Sequence, residues 1–208
     1  YYQPDNAVLL VAGKFDPEKA LAYVAETFGR IPKPTRALPP LWTVEPTQDG
    51  ERSFYVRRKA DEQLVLVAYK IPAALHHDAS ALAMGGPILA AMPTGRLHKS
   101  LVETGQAAQV FNFQFSFHDP ALAIFGAMVK KGEPIEPVRE AIIKEVEEFA
   151  AHGPTGQELE RVKLQYQKGL EQAFNNPERL GVMLSEYIAL GDWRLFFVGR
   201  DRVAAMTG

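Results

Sequence analysis

Gln109-Val110-Phe111-Asn112-Phe113-Gln114-Phe115-Ser116-Phe117-His118 sets an aromatic side chain against a polar one at every step from Phe111 onward. Successive side chains of a strand point to opposite faces, so this period of two predicts a β-strand with a phenylalanine face and a polar face. The reading expects Phe111, Phe113, Phe115 and Phe117 to lie against a helical layer, opposite Ile142, Val146, Leu159 and Val162. Asp119-Pro120 turns the chain, and Leu122-Ala123-Ile124-Phe125 continued by Ala127-Met128-Val129 is the returning strand.

Downstream, the period changes from two to 3.6. Ile135, Val138, Ile142, Val146 and Phe149 share one face of a long helix that Gly153-Pro154 ends. Thr155 and Glu158 have capping-box spacing for a second helix, lined by Leu159, Val162, Tyr166, Leu170 and Ala173. Asn175-Asn176-Pro177 breaks it, and another helix runs from about Glu178 to Leu190 before Gly191-Asp192.

Upstream, Ala7 to Ala12 reads as a strand and Asp16-Pro17 as the cap and first residue of a helix that Gly29 stops. This strand–helix opening (1–31) is expected to pack on the rest of the chain, since one strand and one helix cannot bury their own faces. Five prolines from Pro32 to Pro46 make a Pro-rich connector (32–46), and 47–208 is the main body of what reads as a single domain excised from a longer chain. Phe54 and Val56 with Leu64 to Tyr69 suggest a hairpin around the polar turn 57–62. Asp78 is placed to cap a helix through Ala79, Leu82 and Ala83, made irregular by Gly85-Gly86-Pro87, and a short helix covers about Arg96 to Glu103.

Composition excludes several chemistries. The 208 residues include no cysteine, so thiol catalysis, iron–sulfur clusters and disulfide scaffolds are out. A net charge of −2, from 23 basic and 25 acidic residues, gives no footprint for nucleic acid, and Arg57-Arg58-Lys59 is answered at once by Asp61-Glu62. The longest uncharged stretch, Ala79 to Gly95, is too short and too broken by glycine and proline to span a bilayer.

Among the residues themselves no site stands out. No two of His76, His77, His98, His118 and His152 stand four apart, and neither HExxH nor HxxEH occurs. The neighbours His76 and His77 are expected to diverge, and Asp78 to serve the helix as a cap. No serine sits in a GxSxG turn, and no Gly-rich phosphate loop is present. Glu145, Glu147 and Glu148 belong to the outer side of an amphipathic helix. No catalytic, cofactor-binding or metal residue is assigned in this segment.

The order of its short phrases nevertheless resembles one family. Tyr1-Tyr2-Gln3-Pro4-Asp5-Asn6-Ala7 with Val11-Ala12-Gly13-Lys14-Phe15-Asp16-Pro17 is similar to the strand–helix opening of the second, non-catalytic domain of pitrilysin/insulinase zinc metallopeptidases, the group of the mitochondrial processing peptidases. Glu62-Gln63, Pro72, His77-Asp78, Gly95-Arg96-Leu97 through Leu101-Val102-Glu103, Gly153-Pro154-Thr155 with Glu158-Leu159, and Gly191-Asp192-Trp193-Arg194 come in the family's order. The resemblance covers essentially the whole chain. It implies an α+β fold of the LuxS/processing-peptidase-like metallohydrolase kind, a two-layer α/β sandwich with a mainly antiparallel sheet and helices on one face.

By the same resemblance the parent is a zinc protease, with zinc held upstream by an HxxEH motif and a further glutamate, none of which lies in this segment. The partners implied are a homologous zinc-bearing domain upstream, a second half that closes a clamshell, and a peptide substrate in the parent. Bacterial relatives suggest the periplasm or cell envelope. The family's substrate-binding Arg and Tyr, seven apart in the far half, are replaced here by Val102 and Gln109, which favours the domain next to the zinc-bearing one. The function implied is that of a non-catalytic structural or substrate-chamber domain. The alternative is a scaffold or assembly protein of the same fold without peptidase activity. A third reading, a small-ligand or nucleic-acid binder using the phenylalanine face, lacks the basic neighbours that stacking platforms need.

Overall fold

A computed structural model describes residues 1–40, 44 and 46–207. These form two units, residues 1–58 and 59–208. Part of the Pro-rich connector, residues 41–43 and 45, lies outside the described residues.

In the first unit a single 3-10 turn, Pro4–Asn6, precedes helix α1 (Pro17–Thr27). Asp16 accepts from the backbone N–H groups of Glu18 and Lys19 at 3.0 and 3.2 Å, and Pro17 occupies the first turn, where its missing N–H costs nothing. The helix is therefore where the sequence placed it. The strand is not: Ala7 to Ala12 pairs with no other described strand, and Val8 is 69% exposed. The Phe54–Val56 arm of the expected hairpin is likewise exposed and unpaired. Strand-forming residues make a strand only when a neighbour takes up their N–H and C=O groups. No described residue in this unit is buried.

In the second unit the elements run β1 (Glu62–Ile71), α2 (Ala79–Ala90), a π-helical turn (His98–Val102), β2 (Gln109–Gln114), β3 (Ala121–Lys130), α3 (Glu136–His152), α4 (Gly156–Phe174), α5 (Pro177–Ala189) and α6 (Leu195–Ala205). Helix α6 has no counterpart in the sequence reading. The three strands form one antiparallel sheet in the order β1-β3-β2, with Ala127 opposite both Val65 and Val110. Strand β1 thus pairs with β3 and not with the segment before it.

One face of the sheet carries Val65, Val110, Phe125, Ala127 and Val129 into a core closed by Leu97, Leu101, Val138 and Ile142. Burying each of the larger aliphatic side chains stabilises the fold by roughly 1.5–3 kcal/mol. A second cluster joins Met84 and Ile88 of α2 to Val162 of α4 and Val203 of α6. Phe174, Tyr187, Phe196 and Phe197 pack edge to face where α4, α5 and α6 meet.

The phenylalanine row lies on the other face. Phe113, Phe115 and Phe117 are exposed, at 58%, 42% and 55%, and the expected contact with the helical layer does not exist. The alternation is real, but it says only that two faces differ; the one-residue phase of the β2–β3 register sends Val110 and Asn112 inward instead. Gly86 of α2 comes so close to Asn112 that an added Cβ would stand 2.5 Å from its amide nitrogen. Helix α2 accordingly continues through Gly85-Gly86-Pro87, because the glycines are the points of closest approach. On the outer face Phe111 and Leu66 close over Gly126, where a side chain would collide with both.

Strand β2 ends at Gln114 rather than His118, with one further bond from the Phe115 N–H to the Leu122 carbonyl at 3.1 Å. The Phe117 carbonyl is taken by the N–H of Ala74, 2.9 Å away, which draws this segment toward the loop leading into α2.

Candidate functional site

That loop brings together the densest group of potential ligands in the described residues. His76, His77 and Asp78 each offer one donor atom, all within 4.8 Å of one another. The two imidazole centroids are 4.2 Å apart with the rings tilted by 34°, so the adjacent histidines lie together rather than diverge as the sequence reading expected. Asp78 precedes α2, but its carboxylate makes no capping bond. Instead Oδ2 stands 3.5 Å from His76 Nδ1 and Oδ1 stands 3.1 Å from His77 Nε2. The backbone N–H of Asp78 donates to His76 Nδ1 at 3.2 Å.

The other histidines stand apart. His118 meets Asp119 at 3.3 Å, and His152 Nδ1 lies 3.0 Å from the Glu148 carbonyl. His98 opens the π-helical turn, where its Nδ1 and the Ser100 Oγ are buried without a partner. Sequence spacing gave no signal for this, since a π-helical turn differs from an α-helical one by a single residue per turn.

Arg96 and Glu158 form a bidentate, largely buried ion pair in the second unit. The guanidinium donates from Nε and Nη2 to the two carboxylate oxygens at 2.9 and 2.7 Å, and from Nη2 to the Gly153 carbonyl at 3.0 Å. Glu158 also accepts from the N–H of Thr155 at 2.8 Å while the Thr155 hydroxyl accepts from the N–H of Glu158, so the expected capping box is complete. The Arg96 hydrogen bonds hold the Glu158 carboxyl down to about 2, and Glu158 in turn raises Arg96. Arg96 also lies 5.3 Å from the Phe149 ring centroid. Every partner is a structural one, so the pair ties the start of α4 to the segment before the π-helical turn.

A shallow cleft of about 210 Å³ is bordered by Ser80, Ser116, Tyr166, Glu186, Tyr187 and Arg202. Burial pushes the Tyr166 phenol up to about 12, with Tyr187 adding to the shift, and burial raises Tyr187 as well. Both phenols stay protonated at neutral pH and neither is poised as a base. Among the described residues Ser185 donates to the Val182 carbonyl at 2.7 Å and Ser100 has no partner, so neither meets an imidazole to make a nucleophile.

The outer sheet face is apolar and exposed. Leu64 and Leu66 of β1, Leu122 of β3 and the phenylalanines beside β2 present an apolar surface with Lys70 and Glu62 at the β1 ends. Such contiguous surface marks contact sites more often than chance exposure. No helix among the described residues is long and apolar enough to cross a membrane.

Comparison with known proteins bears on these features. The zinc protease PqqE of Helicobacter pylori is 25% identical over 195 residues, which is 92% of this chain and 44% of that protein. The chain therefore spans less than half the length of this curated relative. A crystal structure of an inactive peptidase domain from Bordetella parapertussis is 37% identical, with a TM-score of 0.66 over 73% of this chain and 83% of that one. The crystal structure of a protease from Helicobacter pylori superposes on 100% of this chain and 50% of its own at a TM-score of 0.93 and 23% identity, which establishes the α+β fold. A family model described as the peptidase M16 inactive domain matches residues 1–166. With the ordered phrases of the sequence, the antiparallel sheet under one helical layer and this match in agreement, the chain belongs to the peptidase M16 inactive domain family of zinc-protease relatives.

Proposed function

We propose that the chain is the chamber-building, non-catalytic domain of a zinc protease, and that its exposed sheet face lines the space in which the parent holds a peptide. The observation that carries this is the outer face itself: Leu64, Leu66, Phe113, Phe115, Phe117 and Leu122 are exposed on a sheet whose opposite face carries the core. Apolar side chains beside the edge of a sheet suit an extended peptide, which needs both main-chain pairing and side-chain contact. Zinc and the water-activating glutamate belong to the homologous upstream domain in this reading, as the family resemblance implies for a sequence without HxxEH. The first unit supports the same picture. Its strand-like apolar run and α1 hold no buried residue, which suits a piece whose apolar side is covered by a neighbouring domain of the parent. A cell-envelope location goes with the reading, in line with the periplasmic protease PqqL of Escherichia coli, whose similarity at 16% identity speaks for fold alone.

The test uses the parent polypeptide. Phe113→Asp with Phe115→Asp should lower hydrolysis of an unstructured peptide at least tenfold while the bound zinc stays at the wild-type level. Unchanged hydrolysis removes the sheet face from substrate contact. A well-folded, intact parent that cleaves no peptide, with or without added zinc, favours the scaffold alternative.

A further inference from the structure

The His76–His77–Asp78 group is used neither by the fold nor by the proposed chamber. We propose that it is a binding site for one divalent transition-metal ion of the zinc or copper class, separate from any zinc of the parent protease.

Three observations meet here. The first is spacing. Four ligands at 2.0–2.2 Å in a tetrahedron stand roughly 3.3 Å from one another. One ligand atom from each residue lies within 4.8 Å of the others, and the imidazole–carboxylate separations, each to a different oxygen, are 3.5 and 3.1 Å, so a small turn of the side chains closes the set around one ion. The second is what Asp78 leaves undone. A residue at the N-cap of a helix ordinarily accepts from the first free N–H groups, as Asp16 does for α1. Asp78 precedes α2 with its backbone already helical, at φ −79° and ψ −9°, where Asp16 is extended; it makes no capping bond, and its two oxygens face the two imidazoles. The third is the hydrogen bond at His76. Its Nδ1 accepts from the Asp78 N–H at 3.2 Å, a contact at the long end of the ordinary range that a metal ion would displace.

Two imidazole nitrogens and one carboxylate form a borderline donor set. It suits Zn²⁺, Cu²⁺ and Ni²⁺, and disfavours Mg²⁺ and Ca²⁺, which take mainly oxygen. The three side chains are 41%, 75% and 56% exposed, so water completes the coordination and the ion exchanges readily with solvent. Binding replaces the weak His76 hydrogen bond, and the exposed carboxylate turns one oxygen to the metal.

The measurement is titration of the 208-residue chain, free of any histidine tag, with Zn²⁺ by calorimetry and with Cu²⁺ by electron paramagnetic resonance. One ion per chain is expected, with two nitrogens in the copper spectrum. Replacing an outer-sphere partner of a metal ligand already weakens binding about 10–100-fold, so His77→Ala and Asp78→Asn should each weaken it by at least about tenfold. His152→Ala should leave it unchanged, and circular dichroism checks that every variant is folded. No zinc uptake, or equal uptake by a variant carrying His76→Ala, His77→Ala and Asp78→Asn together, overturns the proposal. Either result leaves the chamber reading untouched, because that reading depends on the sheet face.

Discussion

Residues 1–58 and 59–208 draw on the same kinds of side chain and use them differently. The first unit has the apolar run Ala7–Ala12 and a helix with Leu21, Val24 and Phe28 on its apolar side, yet none of its described residues is buried. The second has runs no more apolar, and they close a core around Leu97, Leu101, Val110 and Ile142 with almost no exposure. The difference is in the number of layers. A sheet and several helices can shield each other's apolar faces, whereas one helix beside an unpaired extended segment has nothing to close against. The same contrast recurs inside the second unit, between the two faces of its sheet. Apolar character in a segment therefore reports a tendency to be covered, and here it identifies both what is already covered and what awaits a partner.

The sharpest way to break this comparison is to cut into the covered side. Ile142→Ala removes a side chain with 0% exposure and should cost about 3–4 kcal/mol, read from the urea midpoint. A loss below about 1 kcal/mol would mean that the helical layer does not hold the sheet.

Next in size is the link between Arg96 and Glu158. Glu158→Ala removes the carboxylate partner of a half-buried guanidinium, leaving it the Gly153 carbonyl, and opens the capping box of α4, a loss of about 2–3 kcal/mol. The pH dependence has a definite sign. The folded-state value is depressed from 4.5 to about 2, so the contribution is complete above about pH 4.5 and fades as the pH falls toward 2. Wild type should lose more stability than Glu158→Gln across that window; parallel curves for the two would show that the ion pair is not a stabilising link.

Smaller still is the strain expected at Gly126. A methyl there meets the Phe111 ring and Leu66, and Gly126→Ala should cost about 1–2 kcal/mol, partly recovered when Phe111→Leu makes room. Absence of recovery would place Phe111 somewhere other than over this glycine.

Least affected are the uncovered surfaces. Phe113→Ala should cost below about 1 kcal/mol and Val8→Asp within about 0.5 kcal/mol, because neither side chain has a core to leave. A core-sized loss for Phe113→Ala would mean that the outer face is covered in solution, and light scattering over a concentration series would show whether by a second copy.

Local sequence signals are reliable wherever a neighbouring residue completes them. Asp16-Pro17 caps α1, Thr155 with Glu158 caps α4, Asn176-Pro177 opens α5, and Gly153 ends α3 with a φ of 71°. The family and its α+β fold are legible for a related reason, since an ordered set of turns and caps survives when the residues between them change. What the amino-acid sequence determined by itself is thus the position of turns and of the helices α1 to α5, the two strands whose alternation or apolar run is long, and membership of the peptidase M16 inactive domain family. What tertiary structure alone decided is which face of an alternating strand goes inside, which strand-like segments find a ladder, and which side chains adjacent in sequence converge. Asp78 illustrates the last point, because its place before α2 predicts a cap while the two imidazoles beside it receive the carboxylate. The physical reason is that caps and turns are closed by bonds within a few residues, whereas facing, pairing and convergence depend on groups brought from elsewhere in the chain, and a periodicity of two or 3.6 does not encode which of two faces those groups will meet.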